Sequence, residues 1–414
     1  MNHGSRSWPA MARALCVALP VALWGAQAVG APEEQITTTM IGDFEFDSAR
    51  DGRYCPACNF GDGNSRVVFT ATDGSLWLAQ VDRASGRFVP ADGHGTRLDV
   101  NAAYFTDFGN GPSWMFSQRG SELVYTRYQD GLPHSSATAG IAWAHMVGPG
   151  QWTAGPVAGG LGRVNPKGTQ ETSNATPLVS YGSASRGGAW WRQGDFNSPE
   201  QALPMGDSNR GLGLRWVQGT QQLLLSGTVP GSSAKQIFLF DTSTGRTEQI
   251  TSGPGNKRAQ FMFFPPEYGG QAVFFVVVDD VRFDFYWRQA DPQTGLAWTR
   301  FQSQTPPPEL PYIAGSPEAF VHNGRSWLLF TMSDSNKPAP LTTIALLSLD
   351  PAQPELRRLN DADAPARWRS DPEYYIGDTD VYIYYSRAKP LQALLNSTSE
   401  GIWRVATSLG PPRP

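Results

Sequence analysis

The sequence predicts an all-β protein, a β-propeller of about seven four-stranded blades. Three observations predict it: a composition rich in turn formers, a recurring Asp-x-x-Ser/Thr-Gly hairpin, and a spacing of about fifty residues between copies. Of 414 residues, 44 are Gly and 33 are Pro, with no collagen-like period, and aromatic residues make up 12%. Many short strands joined by tight turns need this mix. Helical bundles need long stretches free of Gly and Pro, so they are disfavoured. Hydrophobic residues at 40% supply a large core, and propellers hold chains of this length in one domain.

The hairpin signal is local chemistry. Asp82 to Gly86, Asp241 to Gly245 and Asp291 to Gly295 each place an Asp before a turn and a Gly at its end. The Asp side chain caps the turn, and Gly takes the positive φ where the chain reverses. Looser copies lie at Gly148-Pro149-Gly150, Asp195 to Pro199 and Asp350 to Pro354, and a strand-like run from Gly401 to Ala406 closes the set.

A second recurring piece sits earlier in each unit. Pro266-Glu267-Tyr268, Pro317-Glu318-Ala319-Phe320 and Pro372-Glu373-Tyr374-Tyr375 each precede an apolar run, and blade two has Pro112-Ser113-Trp114 instead. The blades are expected near 59–100, 101–165, 171–207, 209–252, 257–305, 312–362 and 368–410. Residues 29–58 form an N-terminal segment before a propeller over 59–414. Within residues 32–46 the alternation of Ile36, Met40, Phe44 and Phe46 suits a strand that closes the ring by pairing with the last blade.

Residues 1–28 read as a secretory signal: Arg6 and Arg13, an apolar run from Ala14 to Ala26, then Ala26-Gln27-Ala28 as a cleavage site, with Val29-Gly30-Ala31 as a second candidate. The run is too short to span a bilayer, so the mature protein is expected to be periplasmic or extracellular and not membrane-spanning. The chain carries a net charge of −4, and removing the signal makes it more acidic. No basic stripe stands out, so nucleic acid is not an expected partner. Cys55 and Cys58 are expected to form a local disulfide in an oxidising compartment. No cofactor is expected: no phosphate loop, nucleophile elbow or metal-spaced His/Asp/Glu run occurs.

The run Leu214-Arg215-Trp216, Gln222 to Leu225, Gln236 to Asp241 and Gln249-Ile250-Thr251 resembles the repeat of TolB-like propellers. That resemblance implies a blade and no particular chemistry. Ser316 to Ser333 and Asp371 to Ser386 are similar to blade starts in furanosidase-type propeller glycoside hydrolases, the arabinanase and xylosidase kind. That resemblance implies carboxylates at the inner ends of blades, facing the axis.

Three readings of function follow. In the first, Glu267, Glu318 and Glu373 recur at equivalent points of consecutive blades and converge as catalytic carboxylates, the pair that glycoside hydrolysis requires. The alternative for these residues is structural, with each Glu accepting backbone N–H bonds between blades. Asp43 and Asp107 are weaker candidates for the base. Trp114, Trp143, Trp190, Trp191, Trp287 and Trp368 are candidate sugar platforms, with Trp114 and Trp368 favoured and Arg369 beside the latter, against a packing role in the core. The second reading is a non-catalytic TolB-like binding propeller, and the third a uronate lyase using a base such as His134. The expected partner is a polysaccharide or oligosaccharide, or a periplasmic protein.

Overall fold

A computed structural model of the chain describes residues 27–38, 41–47, 65–71, 73–103, 111–118, 120–169, 175–185, 187–204, 213–291, 295–336, 340–350, 352–353, 355–360, 365–389 and 398–413. Among the described residues the protein is all-β, with seven blades arranged as a propeller, each built on a four-stranded sheet and two of them carrying a fifth strand. Its one helical element among the described residues is a single turn, Pro266–Tyr268. No helix there is long and apolar enough to cross a membrane.

Each blade is an antiparallel meander whose first strand starts a new sheet. These first strands are Ile41–Asp47, Ser113–Ser117, Arg163–Gly168, Arg215–Trp216, Lys257–Phe263, Tyr312–His322 and Trp368–Ile376. Contacts link the first strands of blades one to two, two to three, three to four, five to six, six to seven, and seven back to one. The first strands therefore line the centre, and the later strands of each blade lie outside them.

The Asp-x-x-Ser/Thr-Gly hairpins join third to fourth strands, as their turn chemistry requires. Asp82 accepts the Ser85 N–H at 2.7 Å, and Asp241 accepts those of Ser243 and Thr244 at 2.9 and 3.1 Å. Gly86 and Gly245 take φ of 68° and 69°, a conformation other residues adopt only with strain.

The apolar faces of neighbouring sheets pack between the blades. Leu223, Leu225, Phe238 and Phe240 of blade four meet Trp191 of blade three, and Phe283 and Phe285 of blade five meet Leu328 and Phe330 of blade six. Each such side chain contributes about 1.5–3 kcal/mol on burial.

The boundaries differ from the sequence reading in two places. Blade one begins at Ile41, not near residue 59, because its first strand is separated from its partner Arg66–Ala71 by an 18-residue connection. Arg163–Gly168 opens blade three instead of ending blade two. The N-terminus then covers two outer edges. Gln27–Ala31 runs parallel to Leu356–Asn360 of blade six, and Glu34–Gln35 pairs with Trp403 and Arg404 as the fourth strand of blade seven.

Candidate binding site in the central channel

The first strands share a backbone device. In blades three, five, six and seven the pairing with the second strand slips between Val164 and Lys167, Arg258 and Phe261, Ala314 and Glu318, and Ser370 and Glu373. Each slip contains a residue at positive φ: Asn165 at 54°, Ala259 at 50°, Gly315 at 84° and Asp371 at 53°. These are β-bulges, which re-aim the side chains that follow them.

Lys167, Phe261, Glu318 and Glu373 come directly after the bulge and so occupy equivalent positions. Lys167 and Phe261 pair with the third residue of their second strands, Ser180 and Phe275. Glu45 of blade one and Arg215 of blade four pair likewise, with Val68 and Leu224. The faces agree with the register. Val68, Leu224, Phe275, Leu329 and Tyr384, the cross-strand partners, each pack toward the following blade. One level of the channel thus carries Glu45, Lys167, Arg215, Phe261, Glu318 and Glu373, all half-buried. Acidic groups occupy blades six, seven and one, and basic groups occupy blades three and four.

Arg215 spans this collar. Its guanidinium lies 4.7 Å from the Phe261 ring centroid, donates to the Glu318 carboxylate and reaches the Pro317 carbonyl at 3.3 Å. Blade four is thereby tied to blade six past the inner edge of blade five. The Glu318 carboxylate is thus engaged by an arginine from two blades away.

Glu267 is not at the position of Glu318 and Glu373. It sits in the helical turn after the first strand of blade five, and its carboxylate accepts the Ser326 N–H and, at 2.7 Å, the Ser326 hydroxyl. That is the interblade capping role. The letters Pro-Glu recur, but the backbone equivalent of Pro317-Glu318 in blade three is Pro166-Lys167.

Two of the predicted binding residues are structural. Trp114 is fully buried, and its indole N–H donates to the Glu45 carbonyl at 3.1 Å. Arg369 is buried against Glu33, with further bonds to the carbonyls of Thr342 and Pro365. Trp368 is half-buried at the start of the first strand of blade seven. Among the other tryptophans, Trp191 is buried, Trp143 donates to Glu122 at 2.9 Å, and Trp190 lies under Arg163 at 3.9 Å. His134 stacks on Tyr128 beyond the second strand of blade two, outside the collar. Asp43 pairs with Thr70 in the first strand of blade one. Asp107, Cys55 and Cys58 lie outside the described residues.

One to three residues beyond these positions, side chains of blades four to seven line a cavity of about 170 Å³. Gln218, Phe263, Phe264, Ala319, Phe320, Val321, Tyr374 and Ile376 line it. Phe320 and Tyr374 stack at 4.8 Å across blades six and seven. Sequence reading missed the cavity, Glu45, Lys167, Arg215 and Phe261. The usable signal was the Pro preceding Lys167, Glu318 and Glu373.

No protein-family model matches the chain, and no curated protein matches it. Solved structures do. The β-propeller domain of Myceliophteria thermophila Cps50 (Swd1) aligns over 91% of this chain and 100% of its own, at TM-score 0.52 and 10% identity. A copper-bound fungal alcohol oxidase aligns over 92% and 76%, at TM-score 0.52 and 12% identity. The core factor of S. cerevisiae aligns over 93% and 63%, at TM-score 0.50 and 9% identity. At these identities the likeness is one of fold alone.

Proposed function

We propose that this chain is a non-catalytic binding propeller that receives a protein segment at its central channel. The observation that carries the reading is the Arg215–Glu318 pair. Hydrolysis of a glycosidic bond needs two carboxylates facing one substrate. Here Glu267 caps blade six, and Glu318 is held by an arginine. A collar divided into acidic and basic sectors, beside an aromatic cavity, suits a peptide better than a neutral sugar, which needs a dense set of polar partners. The N-terminal sequence supports a site of action outside the cytoplasm.

Glycoside hydrolysis remains the second reading, favoured by the register equivalence of Glu318 and Glu373 on adjacent blades. Paired peptide and glycan arrays, probed with the mature protein and with Arg215→Ala, separate the two. Binding on the peptide array that drops in the variant supports the proposal. Binding confined to glycans and indifferent to Arg215 sinks it.

A further inference from the structure

The cavity beside the collar has a size and lining that specify a ligand group. Its volume of about 170 Å³ is close to that of apolar protein cavities that take up benzene, about 150 Å³. Seven of its eight lining residues are hydrophobic. Phe263, Ala319, Phe320, Tyr374 and Ile376 are buried, so the walls are fixed by the packing of blades five, six and seven. Phe264 and Val321 differ: they are 43% and 41% exposed, and both belong to the small set of large hydrophobic side chains exposed among the described residues. Apolar surface therefore continues from the cavity into solvent, where a contiguous patch commonly marks an interaction site.

The polar member is Gln218. A primary amide donates and accepts at once, which matches the N–H and C=O of a peptide unit. An apolar recess with one amide on its wall and apolar residues on its rim fits a side chain whose backbone runs over the mouth.

We infer that this cavity is a specificity pocket for one phenyl-sized side chain, Phe or a residue of similar volume, of the peptide bound at the channel. The inference rests on the peptide-binding reading and deepens it. A phenyl-sized group fills much of the recess, and an alanine leaves it empty.

The test is a set of titrations followed by NMR, using the mature full chain with N-acetyl-phenylalanine amide, N-acetyl-alanine amide and toluene as probes. Two variants accompany wild type. Ala319→Leu fills the recess, and Phe264→Ser alters only the exposed rim, so it keeps the test valid if the core variant misfolds. The phenylalanine amide is expected to perturb resonances of Phe320, Tyr374 and Ile376 and to bind at least tenfold more tightly than the alanine amide. Ala319→Leu should abolish that preference, and Phe264→Ser should weaken it severalfold. Toluene binding as tight as the phenylalanine amide overturns the peptide assignment of the pocket. Equal affinity for the two amides, or a preference unchanged in both folded variants, overturns the pocket itself. A peptide ligand that loses affinity in Arg215→Ala but not in Ala319→Leu or Phe264→Ser leaves the binding propeller standing and removes this inference alone.

Discussion

The Glu33 carboxylate accepts two hydrogen bonds from the Arg369 guanidinium, at 2.6 and 2.8 Å, and both side chains are only 4% exposed. Arg387 donates to the same carboxylate at 3.1 Å, Asn360 at 3.0 Å, and the Tyr385 hydroxyl also bonds it. This network joins the N-terminal segment to the first and second strands of blade seven. It sits between the two strands that the N-terminus adds to blades six and seven, and so it clasps the ring.

Burial alone would raise the Glu33 pKa, but Arg369, Tyr385 and Arg387 outweigh it and hold the carboxyl below its usual value. Stability from this group is therefore present above about pH 4.5 and is lost as pH falls through the folded pKa. Glu33→Gln leaves the buried Arg369 guanidinium without its counter-charge, while Arg387 keeps the Glu400 carboxylate at 2.7 Å. It should cost about 3–5 kcal/mol, the scale of a broken buried ion pair. Chemical denaturation at pH 7 checks the loss, and the variant should also show a shallower acid limb.

Glu267→Gln tests the capping role. The amide retains one acceptor for Ser326 but not the charge, and the expected loss is about 1–2 kcal/mol of stability. Ligand affinity at the channel should not change. A variant with intact stability and lost function would return Glu267 to the site.

Arg215 and Glu318 are expected to couple. A double-mutant cycle with Arg215→Ala and Glu318→Gln, read by thermal unfolding, should give an interaction energy of about 0.5–3 kcal/mol. Additive effects would mean that the pair is not formed in solution.

The C-terminal segment supplies a pH-dependent contact. His322 is buried against the backbone of Leu409 and Gly410, with Asp380, Arg413 and Asn323 facing it. Burial lowers its pKa below 6.5, so the folded state disfavours the charged ring. Stability is then full above about pH 6.5 and falls as pH drops through that value toward the folded pKa. Urea midpoints should decline between pH 7 and pH 5 in wild type and less steeply in His322→Asn. Equal slopes would assign the pH dependence elsewhere.

What could be read from the sequence was whatever a few neighbouring residues determine. Asp82 to Gly86 and Asp241 to Gly245 carry their turn chemistry in five residues, so the hairpins and the seven-blade count were legible. Register is another matter. A β-bulge is a relation between two strands, so Pro166-Lys167 looked unlike Pro317-Glu318, while Pro266-Glu267 looked like it and lies elsewhere. Arg215 meets a partner 103 residues away, and no local pattern announces that. Trp114 stood out beside the divergent motif of blade two and Arg369 beside Trp368, but an apolar cluster buries the first and distant Glu33 pairs with the second.

Binding without turnover is tested most directly by product release. Wild type, Glu318→Gln and Glu373→Gln would be incubated with plant and bacterial polysaccharides and with the peptides selected on the array, with soluble products followed by mass spectrometry. Wild type is expected to bind peptide and to release no new reducing ends and no cleaved peptide. Reducing ends that accumulate with wild type and vanish in Glu318→Gln would contradict binding without turnover and establish a glycoside hydrolase.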